Sequence, residues 1–251
     1  MKKLAIIAAL ARELHSLIKD WPSITITHES REFTFYESDY AVAVCGGIGP
    51  EAARRAAQAA IVTYKPEVLI SAGVAGALAP ELRIGETIFP AAVIDATDSS
   101  RHETAIQKSR LGNSPLARTV LVSYPEIASR AQKQLLANSY GAHAVDMEAA
   151  AVAKAAQVHG LPFLAIKAIS DELNFELPEM SSFIRDGQFH TGAFILHAAI
   201  RPWLWLRVFR LARNTKIASE NLCAWLRESV LTNTIVPGAS DSAGVSPAAS
   251  E

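Results

Sequence analysis

Three carboxylates in this chain, Glu13, Glu148 and Asp171, each stand just beyond an apolar run that reads as a buried strand. Asp171 follows Leu161 to Ile169, Glu148 follows Ala142 to Val145, and Glu13 comes soon after Leu4 to Leu10. Open α/β sheets bind ligands outside the carboxyl ends of their strands, so the three acids could converge on one cleft. Taken singly, each has an ordinary structural reading: an acid at a strand end caps a helix, and one in a first helical turn suits the helix dipole. Taken together they are the acid/base set on offer, because the seven histidines are scattered without metal-ligand spacing and no serine nucleophile elbow is present. Cleavage of a glycosidic bond is chemistry that a carboxylate pair performs unaided.

A second candidate is the turn Gly47-Ile48-Gly49-Pro50-Glu51-Ala52, which has the spacing of a dinucleotide fingerprint with a strand before it and a helix after. The acid that would bind a ribose should then end the next strand, and Ala72-Gly73-Val74 stands there instead. No nicotinamide, flavin or metal cofactor is therefore expected. Two readings of the turn stay open: a seat for an anion or polar ligand edge at a helix N-terminus, and close packing of strand on helix.

The elements that must position these groups follow from the pattern. Leu4 to Leu10 reads as a first strand and Arg12 to Asp20 as a helix stopped by Trp21-Pro22. Ile24 to His28 and Glu32 to Glu37 alternate like paired antiparallel strands, and Tyr40 to Cys45 is apolar. Pro50 opens an alanine-rich helix to Tyr64, and Val68 to Ala72 is a buried strand ending in a turn at Gly73-Val74-Ala75-Gly76. Thr87 to Ile94 adds a strand, Asp95 to Ala117 reads as a flexible loop, and Thr119 to Ser123 returns to the sheet. Pro125 to Ser139 reads as a helix, Ala149 to Val158 as another, and Phe194 to Arg213 and Ile217 to Val230 as two terminal helices. Strand, glycine turn, helix, strand is the order of a largely parallel sheet wrapped by helices.

Length and composition agree with that class. In 251 residues, 50% are hydrophobic and 20% charged, enough for a large core in one domain or two. Lys plus Arg (24) nearly cancel Asp plus Glu (25), leaving a formal charge of -1 and no field to recruit nucleic acid. No apolar run reaches the roughly 18 to 20 residues of a membrane span. Lys2-Lys3 before Leu4 to Ala11 has the outline of a short secretory signal, but the segment reads better as the first strand. Cys45 and Cys223 form no disulfide framework, and a cytoplasmic protein is expected. The Pro/Gly/Ser/Ala-rich stretch 232–251 is expected to be a disordered tail, leaving 1–231 as a single domain with added helices from about 194.

Six blocks resemble the nucleoside phosphorylase and nucleosidase family: Ile6 to Glu13, Gly46 to Gly49, Ser71 to Gly76, Ile84-Gly85-Glu86, Ala144 to Ala149 and Ala168 to Asp171. They span about residues 4 to 185 in order, and the branch they resemble most is methylthioadenosine/S-adenosylhomocysteine nucleosidase. The resemblance implies a three-layer α/β sandwich with a mixed, partly barrel-like central sheet, a homo-oligomer and a small purine nucleoside as ligand. It implies that Asp171, next to Ser170, is the general acid at purine N7. Burial or neighbouring carboxylates would then have to raise its pKa. Glu148 would grip the ribose hydroxyls with Met147 beneath the sugar, and Glu13 would orient and deprotonate the attacking water. Ile127 and Ala128 fall where main-chain groups read the purine edge, and Gly73 and Val74, with Ser170, are implied to contact the substrate.

Departures from the family pattern refine the expectation. Phosphorylases of this family hold phosphate with an arginine and a serine, at positions that are Ser71 and Val74 here; Val74 donates no hydrogen bond. Loss of that cradle with Glu13 retained favours water over phosphate as nucleophile, although Arg12, Arg54 or Arg101 could rebuild a phosphate site. Phosphate would be the co-substrate of such a phosphorylase, and a nucleoside-binding protein without catalysis is a further alternative. The segment Arg201 to Arg213 places Leu204, Trp205, Val208, Phe209, Leu211 and Ala212 on one helical face and Arg207, Arg210 and Arg213 opposite. Such a face packs on the body or on a second subunit, or meets a membrane surface or lipid-bearing substrate. With Asp171 to Pro178 before it, this segment looks like the hopanoid-associated nucleoside phosphorylases, which implies an adenosyl-bearing lipid such as adenosylhopane as substrate.

Overall fold

The computed structural model describes residues 4–105, 119–177, 181–185, 187–190 and 201–231. Strand β1 (Leu4–Ala8) is fully buried and lies parallel between β4 (Ala41–Cys45) and β5 (Val68–Ala77). Its side chains alternate between two cores, as strand geometry requires. Ala5 and Ile7 face the helices α2 (Pro50–Tyr64) and α4 (Ala149–Val158), whereas Leu4, Ile6 and Ala8 face α1 (Ala11–Ile18) and α5 (Pro202–Leu231). The result is helix, sheet, helix in three layers around an 11-stranded mixed sheet. Buried alanines of α2 and α4, such as Ala53, Ala57, Ala150 and Ala153, form the contact between those helices.

The sheet runs from the antiparallel pair β2 (Ser23–His28) and β3 (Arg31–Glu37) through β4, β1 and β5. It continues in β10 (Ala144–Asp146), β9 (Val120–Ser123), β7 (Ala92–Asp95) and β8 (Arg101–Glu103). It branches at β5. There β11 (Phe163–Asp171) pairs parallel along almost the whole strand, while β1 and then β10 share the other edge. β11 in turn pairs antiparallel with β6 (Thr87–Ile88).

Several boundaries differ from the sequence reading. β5 does not stop at Ala72: it passes through Gly73 to Gly76 because β11 offers a hydrogen-bonding neighbour that far. β11 likewise extends through Ser170 to Asp171, with a register shift after Ile169. The run Thr87 to Ile94 is two strands, since Pro90 cannot donate to a ladder. Part of the expected 95–117 loop is β8, and 106–118 lie outside the described residues. The helix expected from Pro125 begins only at Arg130 (α3, Arg130–Tyr140), where Ser129 and Gln132 form a reciprocal capping box. The two expected terminal helices are one, because Asn214-Thr215-Lys216 contains neither glycine nor proline; residues 194–200 and 232–251 lie outside the described set.

Candidate active site

Glu13, in the first turn of α1, is buried with its carboxylate against β5. A Cβ on Gly73 would stand 2.9 Å from Glu13 Oε2, so the glycine is what lets the carboxylate approach the sheet. Burial pushes the Glu13 pKa up to about 7, with the Glu148 charge adding and Lys167 and Arg12 opposing. A carboxylate so poised can take a proton from water near neutrality.

Glu148 lies between β10 and α4 and reaches across to the glycine turn after β4. Its Oε1 accepts the Gly49 N–H at 2.8 Å, and Oε2 accepts the Met147 N–H at 3.3 Å. Gly49 has φ +96, and Pro50 follows at the start of α2. The anion seated by the glycine turn is therefore the protein's own carboxylate. Burial, then the neighbouring Asp146 charge, pushes the Glu148 pKa up to about 7 against the pull of Lys167.

Between these acids stands Lys167, a buried lysine inside the otherwise apolar β11. Its ammonium lies 2.8 Å from Asp146 Oδ2 and donates to Ser71 Oγ at 3.0 Å. Burial alone would lower its pKa, but Asp146, Glu148 and Glu13 outweigh that and hold it above the ordinary value. Asp146 also accepts the Ser123 hydroxyl at 2.6 Å and the Ala149 N–H at 2.9 Å, which fixes the start of α4.

Asp171 ends β11, buried. Its Oδ1 accepts the Ser170 hydroxyl at 2.7 Å, and its Oδ2 accepts the ammonium of buried Lys133 on α3. Of the two surroundings expected for this acid, burial or neighbouring carboxylates, the structure shows burial; its charged neighbour is a cation, because the capped start of α3 delivers Lys133 to the end of β11. Sequence reasoning missed both lysines. Lys167 had a signal, a charge amid Phe163 to Ile169; Lys133 had none, since a lysine in a polar helix is ordinary.

All nine residues expected at the site, Glu13, Gly73, Val74, Ile127, Ala128, Met147, Glu148, Ser170 and Asp171, line one cavity of about 630 Å³. That volume suits a ligand of nucleoside size. Ile127 and Ala128 reach it from the loop before α3, where main-chain groups are not consumed by a helix. Of the arginines that could rebuild a phosphate site, Arg12 borders the cavity. Arg54 is bound to Glu51 and Gln58 on α2, and Arg101 to Glu103 on β8. The sequence profile of the phosphorylase superfamily matches residues 3–126 and 103–198.

The chain belongs to the phosphorylase superfamily.

Within that superfamily, a 5′-methylthioadenosine/S-adenosylhomocysteine nucleosidase of Shewanella halifaxensis is 25% identical over 224 residues, 77% of this chain and 97% of the relative. An aminodeoxyfutalosine nucleosidase of Campylobacter jejuni is 24% identical over 198 residues, 68% and 86% of the two chains. In fold, the 5′-methylthioadenosine/S-adenosyl homocysteine nucleosidase of Helicobacter pylori superposes with a TM-score of 0.68 at 17% identity, over 92% of this chain and 98% of that one.

The α5 face departs from its helical projection. Val208, Leu211 and Ala212 line the cavity, whereas Trp203 and Phe209 are 71% and 69% exposed, and Trp205 and Leu206 are exposed beside them. Arg207 and Arg210 are not free opposite them: they pair with Glu176 at 3.5 Å and Glu172 at 3.8 Å, tying the segment after β11 to α5. Among the described residues no helix is long and apolar enough to cross a membrane.

Proposed function

We propose that this chain hydrolyses the N-glycosidic bond of an adenine-type purine nucleoside and releases the free base. The observation that carries the reading is the convergence of Asp171, Glu148 and Glu13 on one nucleoside-sized cavity, in a chain similar to nucleosidases over most of its length. Asp171 hydrogen-bonds to or protonates N7, which turns a poor leaving anion into neutral adenine and lets the ribose become an oxocarbenium ion. Glu148, held by Gly49 and Met147, accepts from the ribose hydroxyls, and Met147 packs beneath the sugar. Glu13, with its pKa near 7, takes the proton of the attacking water. Water is favoured over phosphate because the Val74 side chain donates no hydrogen bond and, of the three arginines, Arg54 and Arg101 are engaged elsewhere and Arg12 alone borders the cavity. The test is chromatographic: adenine release from methylthioadenosine, adenosylhomocysteine and adenosine, with and without phosphate. Adenine at equal rates in both conditions is expected, and ribose 1-phosphate formed only with phosphate would replace hydrolysis by phosphorolysis.

A second reading has its own observation. The exposed Trp203, Trp205, Leu206 and Phe209 sit on the helix whose next turns line the cavity, an arrangement suited to an adenine nucleoside with a lipid at ribose C5′, such as adenosylhopane. In that case the enzyme works in the cytoplasm at the membrane surface and uses phosphate.

A further inference from the structure

Lys133 is placed where neither helix stability nor core packing would put it. It occupies the first turn of α3, where the helix dipole disfavours a cation, and it is only 1% exposed, where an ammonium loses its hydration. Nothing apolar replaces it; instead the surroundings are built around its charge. Its Nζ donates to Asp171 Oδ2 and, at 2.9 Å, to the Glu172 carbonyl. Opposite, Gly76 leaves the space: a Cβ there would lie 2.9 Å from Asp171 Oδ2 and 3.2 and 3.3 Å from Lys133 Cε and Nζ. Other charged groups are arrayed around the pair. Glu172 comes just after the end of β11 and pairs with Arg210, Glu126 lies in the loop before α3, and Lys216 and Glu220 border the cavity from α5. Glu13, Glu148, Asp146 and Lys167 form the deeper cluster. Lys133 and Asp171 touch each other, not that cluster's ion pair.

We propose that Lys133 is the positioning residue that stores the proton Asp171 hands to the purine. The inference rests on the glycosidic-cleavage reading above. In the resting pair the proton is on Lys133 Nζ. As the C1′–N9 bond breaks and its electron pair moves to the base, a proton passes from Lys133 to Asp171 Oδ2, and Asp171 gives one to N7. Neutral adenine leaves, and Lys133 regains its proton from solvent. Water adds hydroxide to C1′ and gives its own proton to Glu13, which releases it to solvent; the proton Lys133 draws from solvent is thereby returned and the cycle balances. This resolves how an acid locked in an ion pair can still serve as a proton donor: donor capacity belongs to the pair.

The test is the pH profile of kcat for adenine release in the parent, Lys133→Met and Lys133→Arg. In Lys133→Met the only stored proton is on the Asp171 carboxyl, so the alkaline limb moves to lower pH while activity persists in acid. Lys133→Arg keeps the charge but holds its proton too firmly, so kcat falls roughly 10²-fold or more with KM little changed. A folded Lys133→Met with the parent's limb, or an Arg variant with the parent's kcat, overturns the proposal. Should either variant fail to fold, the parent alone decides: a limb set by an ammonium shifts to lower pH on warming, and one set by a carboxyl stays, which would overturn it. A parent that releases no adenine from any of the nucleosides overturns both this proposal and the function it rests on, whereas an active parent with unmoved variants overturns this one alone.

Discussion

At the scale of single residues, the site is two groups of buried charges: three acids, Glu13, Asp146 and Glu148, around the single cation Lys167, and Asp171 paired with Lys133. Each acid has a cation nearby, yet burial keeps Glu13 and Glu148 near a pKa of 7, because desolvation outweighs the attraction of one shared lysine. Asp171→Asn keeps an acceptor for Ser170 but leaves the buried Lys133 ammonium without its counter-charge, so the variant should fold with reduced stability and lose about 10²- to 10⁴-fold in kcat; full activity in the purified variant would sink the assignment. Glu13→Gln should harm hydrolysis but not necessarily phosphorolysis. The acid limb of the parent's kcat/KM should fall near pH 7, where Glu13 ionises, and an unchanged limb in Glu13→Gln would assign it elsewhere. The three carboxylates were legible because each follows an apolar strand, a one-dimensional signal. Lys133 was not, because its role depends on a partner 38 residues away that only folding brings into reach.

At the scale of elements, boundaries were misread wherever a neighbour rather than local propensity decides. Gly73 to Gly76 read as a turn, and glycine is a turn residue by conformation. In β5 it is instead a residue without a side chain, present because Glu13 and Asp171 need the space. β5 and β11 sustain each other past the point where either alone would end. Helix α3 was read too long for the opposite reason: the local Ser129–Gln132 capping box was overlooked, although it is visible in sequence. Helix α5 combines both cases. Its second half buries Ala218, Leu222, Cys223 and Leu226 on the body, as an amphipathic pattern predicts, and its first half leaves Trp203, Trp205, Leu206 and Phe209 outside. If that half meets lipid, the protein should co-sediment with phosphatidylglycerol-containing vesicles, and Trp203→Ala with Trp205→Ala should weaken the association. A parent that stays in the supernatant removes the interfacial reading, and a concentration-dependent dimer on gel filtration that the same substitutions dissociate would assign the face to a second subunit.

For the whole molecule, the site has a thermodynamic consequence that can be measured without substrate. Glu13 and Glu148 hold their protons to about pH 7 when folded, against 4.5 as the ordinary value for an unfolded chain. Between those limits the folded protein binds more protons than the unfolded one, so stability falls as pH rises through the window. What these groups contribute is fully present below about 4.5 and is lost by the time pH has passed the folded values near 7. Asp98 works in the opposite direction, with its pKa held low by the Lys154 ammonium, but its effect is confined to more acid conditions and to the surface. The melting temperature should therefore decline from about pH 5 to about pH 8. Glu13→Gln cannot ionise, so its decline should be shallower, and above pH 7 the variant should be more stable than the parent while hydrolysing less. Parallel melting curves across that range would mean that Glu13 is charged throughout, and the picture of a buried acid poised near neutrality would have to be abandoned. Stability gained as activity is lost in Glu13→Gln is what a site that buries a carboxylate for chemistry predicts.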